Sequence, residues 1–422
     1  MLMRRPTATK PHERGASAAT PSARGALIWL AVLAGGIVMG MALGVRHVQG
    51  LFLLPVTLDR GWSRELFGMA MAVQNLTWGL AQPFTGMVAD RWGSARVIVA
   101  GMACYALGLV LMAHADTPAA FVLSAGVCIG VALSGTAFAV IYGALSRLVP
   151  AERRSWALGM AGAAGGLGQF LLVPVAQVLI DAWGWVAALL AFAAVMAMML
   201  PLALPMRDRP AALAEDVVDM PIGQAVREAF GHKGFWMLNA GFLACGFQLA
   251  FIATHLPAYL ADRGLDASHA VVALAIIALA NVAGTYYCGL LGGMFRRKYL
   301  LSGVYLVRAA AMALFVWLPP SPWTLYAFAC IMGMVWLGTV PLTSGLLSQV
   351  FGVRYITTLF GFVFFGHQVG SFLGVWLGGL VFEVTGSYAW IWAGAIALGV
   401  LAAALHWPID DREITRPAAV AA

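Results

Sequence analysis

Long apolar stretches alternate with short polar breaks along nearly the whole chain. A helix crossing about 30 Å of hydrocarbon needs about 20 apolar residues. Stretches of that length occur at 27–55, 64–89, 95–114, 118–146, 155–180, 185–204, 234–260, 269–293, 299–318, 322–349, 356–382 and 388–408. Several are longer than a perpendicular crossing requires, which predicts tilted or glycine-kinked helices. A polar stretch with Glu215, Asp216 and Asp219 separates the sixth span from the seventh.

Composition agrees with the pattern. The 422 residues are 62% hydrophobic and 10% charged, and mean hydropathy is +0.86. A soluble domain carries about 25% charged residues, so the soluble-enzyme classes are excluded. The net charge of +7 does not mark a nucleic-acid partner, because the basic residues form no stripe. They fall in alternate loops: Arg4, Arg5, Lys10, Arg14 and Arg24 in the N-terminal tail, then Arg91, Arg96, Arg147, Arg153, Arg154, Arg207, Arg209, Arg227, Lys233, Arg296, Arg297, Lys298, Arg354, Arg412 and Arg416. The opposite side has Arg60, Arg64 and Arg263, while Arg46 and Arg308 lie inside spans. The positive-inside rule therefore places both termini in the cytoplasm of a bacterial-type inner membrane. The N-terminal tail has no apolar core and cleavage-like site, so it reads as a disordered extension rather than a signal peptide. Cys104, Cys128, Cys245, Cys288 and Cys330 are scattered through apolar runs without metal-ligand spacing and read as packing residues. No metal or cofactor is expected.

The chain repeats itself at about 203 residues. "DRG" at 59–61 recurs at 262–264, Gly130 and Gly135 recur as Gly333 and Gly338, and Gly86 recurs as Gly289. Gly159 and Gly168 recur as Gly361 and Gly370. The expected fold class is an all-α polytopic membrane protein of 12 transmembrane helices in two pseudo-symmetric six-helix bundles. The bundles are 26–205 and 234–408, joined by a cytoplasmic linker at 206–233, with tails at 1–25 and 409–422. Such repeats place a substrate site near the midplane between the halves, and rocking gives alternating access.

"GMVADRWGSAR" at 86–96 resembles the loop signature of the major facilitator superfamily, in which Gly86, Asp90, Arg91 and Gly93 match. Ser94 and Ala95 stand where basic residues are usual, and Arg96 is the substitute expected for them. The second copy, "GLLGGMFRRK", keeps Gly289 and the basic cluster but has Gly293 in place of the acid. Physically, the glycine allows close helix approach. Asp90 is near the start of the third helix, where a carboxylate is favoured, and Arg147 is its expected partner. This loop is read as a gating latch, against a plain solvated turn.

Polar groups inside the spans must be satisfied away from water. No mid-membrane carboxylate is visible there, so the buried cations and neutral polar groups point to an anionic substrate. Arg46 lies about nine residues from Pro55, roughly 13 Å below that helix end at 1.5 Å per residue. Gly36, Gly40 and Gly44 form a packing stripe, and Arg46 and Gln49 occupy the opposite side. Arg46 is either a substrate contact or a snorkelling residue. His47 adjoins the stripe and reads as a helix-contact donor. In the seventh span Gln248, His255 and Tyr259 share one face, with site and gate readings both open for His255. His367 is a candidate proton carrier, with Ser371 one turn away, and the repeat partners of the two are Gly165 and Gln169. Asn75, Tyr142, Asn281 and Thr285 complete the expected polar lining, each also readable as an interhelical hydrogen bond. Arg308 has no visible acid partner, and its role stays open. "GMAGAAGGLG" at 159–168 lacks the preceding strand and Lys-Ser/Thr ending of a nucleotide loop and reads as packing glycine.

"DRGWSRELF" and "GVRHVQGLF" resemble the monocarboxylate and oxalate–formate transporter branch of that superfamily. Some members carry a lysine near the position of Arg46, and many have an arginine late in the eighth span, where this chain reads "AGTYYCG". The resemblance implies a monomeric secondary transporter of a small organic anion, a monocarboxylate, driven by proton symport or anion exchange. Its expected partners are the substrate, a proton or counter-anion, and the lipid bilayer. The alternatives are a proton-coupled drug or metabolite exporter and a non-transporting sensor or scaffold.

Overall fold

A computed structural model of the chain describes residues 21–208 and 220–414. Most of the N-terminal tail, the linker acids Glu215, Asp216 and Asp219, and the basic residues Arg209 and Arg416 lie outside the described residues. Among the described residues all regular structure is helical. In chain order, the long helices are α1 Gly25–Arg60, α2 Arg64–Trp92, α3 Ser94–Ala113, α4 Pro118–Leu148, α5 and α6 within Ala151–Met206, α7 Lys233–Asp262, α8 Ala267–Met294, α9 Arg297–Trp317, α10 Pro322–Phe351, α11 Ile356–Thr385 and α12 Ala389–His406. Gly184, at φ 80°, separates α5 from α6, in a backbone region that glycine enters without a Cβ clash.

Length and composition mark 10 helices able to cross a membrane, with α5 and α6 taken as one. The remaining long helix is α2, whose length crosses but whose interior carries Gln74, Asn75 and Gln82. The least apolar span is thus the one whose polar groups face other protein.

Helix starts follow local chemistry. Ser63 accepts from the Leu66 N–H at 3.1 Å to cap α2. Ser321 and Thr324 form a reciprocal capping box on α10, with Pro322 in the first turn. Two helices are interrupted at repeat-related places. In α4, Ala137 is extended between Ile129–Thr136 and Phe138–Leu148. In α10 the break at 335–338 lies between Pro322–Met334 and Thr339–Phe351. Such breaks free backbone carbonyls at depth, where only neighbouring protein groups can satisfy them.

The glycine stripe of α1 is the seam with α5. A Cβ on Gly36 would meet that of Ala164 at 2.6 Å, and one on Gly168 would meet Gly40 backbone at 2.5–2.6 Å. The repeat-related seam joins α7 to α11, where Gly374 abuts the Phe247 backbone. Between the halves, α5 meets α8 through Gly159 and Gly289, and α2 meets α11 through Gly86 and Gly361. Gly168→Val is expected to destabilise the protein by about 1–3 kcal/mol through overpacking, read as a lower melting temperature in detergent. An unchanged melting temperature would show that the seam yields.

Candidate substrate site and seal

The face of α1 opposite the glycine seam carries Arg46 into the layer where the halves meet. Its Nη2 donates to the Asn75 Oδ1 of α2, and its guanidinium lies 5.3 Å from the centre of the Trp78 ring. Nε of Arg46 is buried with no hydrogen-bond partner. Trp78 in turn donates to Gln82 at 3.0 Å and packs on Phe364 of α11, ring centres 4.8 Å apart. The next residues of α11 close the layer: His367 stacks on Phe364 at 5.5 Å and lies 4.8 Å from Phe242 of α7. Gln368 Nε2 donates across the halves to the Asn75 carbonyl at 3.2 Å. Arg46, Asn75 and His367 all keep partial exposure.

The structure therefore gathers Arg46, Asn75 and His367 from the residues expected for the site. Trp78, Phe364 and Gln368 are additions that sequence reasoning missed. Trp78 follows Asn75 by three positions and Gln82 by seven, so helical spacing was the available signal.

Other expected residues are placed differently. Gln248 is turned toward α12, where it donates to the Ala395 carbonyl at 2.9 Å. His255 sits between the Val375 carbonyl at 2.9 Å and the Tyr388 hydroxyl at 3.2 Å, against Gly378. Tyr259 packs on Trp392. The shared face of α7 is thus a bundle-internal seam, correcting the expectation that it lines the site. A helical wheel separates faces without telling whether a neighbour helix or a cleft covers them. Ser371 donates to its own helix at His367 O, 3.0 Å. Asn281 accepts from the Leu337 N–H and the Thr285 hydroxyl, each at 3.0 Å, so this pair mends the α10 break. Tyr142 is enclosed against Gly162, its hydroxyl without a partner. Gln49 is likewise enclosed with neither amide atom partnered. Gln169 is half-exposed on α5, and His47 is exposed rather than held at the helix seam.

Arg308 is fully enclosed and reaches inward from α9. It donates to the Val335 carbonyl at 3.0 and 2.5 Å, to the Trp336 carbonyl at 2.5 Å, and to the Cys245 Sγ at 3.1 Å. It ties α9 and α7 to the carbonyls freed by the α10 break. Tyr105, 203 positions earlier, donates at 2.9 Å to the carbonyl of Ala42, itself 203 positions before Cys245. The repeat thus extends to which side chain spans which gap.

A second cluster closes the opposite end of this layer. Asp90 pairs with Arg147 at 2.7 Å and accepts from the backbone N–H and hydroxyl of Thr358 at 2.8 and 2.7 Å. Arg147 also pairs with Asp208 at 2.6 Å and donates to Ser94 at 2.7 Å and to Thr357 at 3.2 Å. Gly86 lets α2 lie against Thr357 and Thr358, where a Cβ would come within 2.7 Å of backbone. Gly93 adopts φ 95° at the turn. Arg91 and Arg96 are exposed. Ser94 joins the network, donating to Asp208 from its N–H at 2.7 Å and its hydroxyl at 2.8 Å. Asp208 was not anticipated, although Asp411 lies 203 positions on. Asp411 pairs with Arg296 at 2.5 Å, and that guanidinium holds its carboxyl below the usual range. The neighbouring Arg297 crosses the halves to Ser155 Oγ at 2.7 Å. Among the described residues, the hydrogen bonds between halves lie at this end or at the Asn75–Gln368 level, and none lies nearer the Pro55 end.

Comparisons with known proteins agree with this architecture. Human monocarboxylate transporter 11 is 28% identical over 383 residues, 85% of this chain and 78% of that protein. The oxalate:formate antiporter of Oxalobacter formigenes is 24% identical over 375 residues, 86% of each chain. The crystal structure of the E. coli fucose:proton symporter superposes with a TM-score of 0.68 at 16% identity, covering 90% of this chain and 98% of that one. A likeness at that identity speaks for the fold alone. The family profile described as Major Facilitator Superfamily matches residues 28–375. With its helices in two bundles and its relatives named as transporters, this multi-pass membrane chain belongs to the Major Facilitator Superfamily and is a transporter of small molecules, not an enzyme.

Proposed function

We propose that the protein carries a small organic anion, a monocarboxylate, across a bacterial-type inner membrane by alternating access. The bundles 26–205 and 234–408 rock about the layer holding Arg46, and both termini face the cytoplasm. In that orientation the Asp90 seal is cytoplasmic, and the structure is an outward-facing state.

The carrying observation is Arg46. Its cation stands in the interfacial layer beside neutral partners, with Nε unpartnered. A cation at this depth in a membrane is expensive unless a counter-charge arrives, and a substrate carboxylate supplies one. Trp78, Phe364 and Phe242 would wall its apolar part. The names of the relatives, monocarboxylate transporter and oxalate:formate antiporter, support the same substrate class.

Purified protein in liposomes is expected to take up formate, acetate, lactate or oxalate saturably, with uptake altered by a pH gradient or by internal anion. Flux of uncharged sugars or organic cations alone would sink the anion reading.

A further inference from the structure

Arg308 presents an electrostatic problem that the anion site leaves unsolved. Its side chain is fully enclosed, and three of its four short contacts are to neutral carbonyl oxygens. No carboxylate touches it among the described residues. A buried charge without a counter-charge is costly by several kcal/mol. Three groups beside it have an anionic form, of which the Cys288 thiol makes no hydrogen bond to it. One is the Cys245 thiol, 3.1 Å from Nη1. Another is the Tyr305 phenol, whose ring centre lies 5.4 Å from the guanidinium. A thiol is ordinarily the stronger acid, and Cys245 alone makes a direct hydrogen bond.

The surroundings of Cys245 are those of a proton-exchanging group. The thiol is fully buried on α7. Thr339 of α10 lies 3.3 Å from its sulfur, and α11 abuts the next residue of α7 at His367, whose backbone a Cβ on Gly246 would strike. From α9 come Arg308 and Tyr305, from α8 Cys288 faces the same guanidinium, and from α12 His406 stacks on Tyr305 at 5.0 Å. Of these, His367 is the one that reaches the partly exposed layer containing Arg46. Cys245 thus has an acid–base neighbour on the cleft side and a fixed cation on the other.

We propose that Cys245, held between Arg308 and His367, carries the coupling proton in place of a membrane carboxylate. The inference rests on the anion-transport reading. On deprotonation the S–H bond breaks, its electron pair stays on sulfur, and the proton passes to the His367 imidazole and on to water. The resulting thiolate neutralises Arg308, while Arg46 stays without a counter-charge. The substrate carboxylate at Arg46 adds one negative charge to the interior, and protonation of the thiolate removes one. One proton is required for one added negative charge, so the two travel together.

The test uses the full chain in liposomes, with labelled lactate and formate as probes. Wild-type protein accumulates a probe against its gradient when the outside is acidic. It also exchanges labelled for unlabelled probe without any pH gradient. Cys245→Ser and Cys245→Ala are expected to lose gradient-driven accumulation at least tenfold while keeping exchange within about threefold. Cys245→Asp should restore proton-driven accumulation, with its pH profile displaced toward acid. Undiminished accumulation by Cys245→Ala overturns the coupling role, and loss of exchange in both variants overturns it in favour of packing. If wild-type protein moves neither probe in either assay, the anion-transport reading itself fails and the coupling role falls with it.

Discussion

Replacing Arg46 by alanine is expected to reduce monocarboxylate uptake in liposomes about 100-fold, with the protein still folded. Hydrogen bonds to a charged partner contribute about 1.5–3 kcal/mol each, and 1.4 kcal/mol is a tenfold change. Losing the guanidinium removes at least two such bonds to a carboxylate. It also removes a cation held over Trp78, a contact contributing up to about 2 kcal/mol when desolvated. The fold should survive because the protein partners of Arg46 are neutral: truncation leaves Asn75 with the bond its carbonyl accepts from Gln368 and the one its side chain donates to Met71, and no stranded counter-charge. Arg46→Lys keeps the charge without the planar fork, so about a tenfold loss is expected. Uptake by the alanine variant within twofold of wild type, at equal melting temperature, would remove Arg46 from the substrate site.

The parts of this architecture legible in the sequence are those that repeat or follow helical spacing. Long apolar runs mark the helices, and the offset of 203 relates the halves. The glycines at 36, 40 and 44 identified their own seam because small residues at four-residue spacing have few other uses. What was not legible depends on contacts distant in the chain. Nothing near Ser94 indicates that its partner is Asp208, 114 residues on. The face of α7 bearing Gln248 and His255 has the polar pattern of a lined cleft, yet its partners are α11 and α12. Arg308 illustrates the same limit: a peripheral helix can still reach the centre through a long side chain when a neighbouring helix breaks and offers carbonyls. The repeat could have narrowed these cases, since Tyr105 and Arg308, like Asp208 and Asp411, stand 203 apart.

Removing the Asp90 carboxylate is expected to shift the protein away from the state seen here. Asp90 holds both ends of the seal, pairing with Arg147 within its own half and accepting two hydrogen bonds from Thr358 in the other. Breaking a buried pair by removing one partner costs about 3–5 kcal/mol. Arg147 keeps Asp208 after the loss, so the lower end of that range applies. The Thr358 bonds exist only while the halves are closed at this end, and a contact shifts a conformational equilibrium only through its difference between states. The two Thr358 bonds to a charged acceptor contribute about 1.5–3 kcal/mol each, and a loss of about 3 kcal/mol in that difference moves the ratio of closed to open protein about 100-fold. Asp90→Ala should therefore cut uptake at least tenfold by trapping the protein open at this end. Spin labels at exposed Arg153 and Met294, one on each half, read the change as a longer mean distance in a background that keeps the fully buried Cys245 and has the other native cysteines replaced by serine. Asp90→Asn retains an oxygen for the Thr358 N–H and should show a smaller lengthening. Distances and uptake unchanged in Asp90→Ala would mean that the glycine packing, the Arg147–Thr357 bond and the Arg297–Ser155 bonds close this end without Asp90.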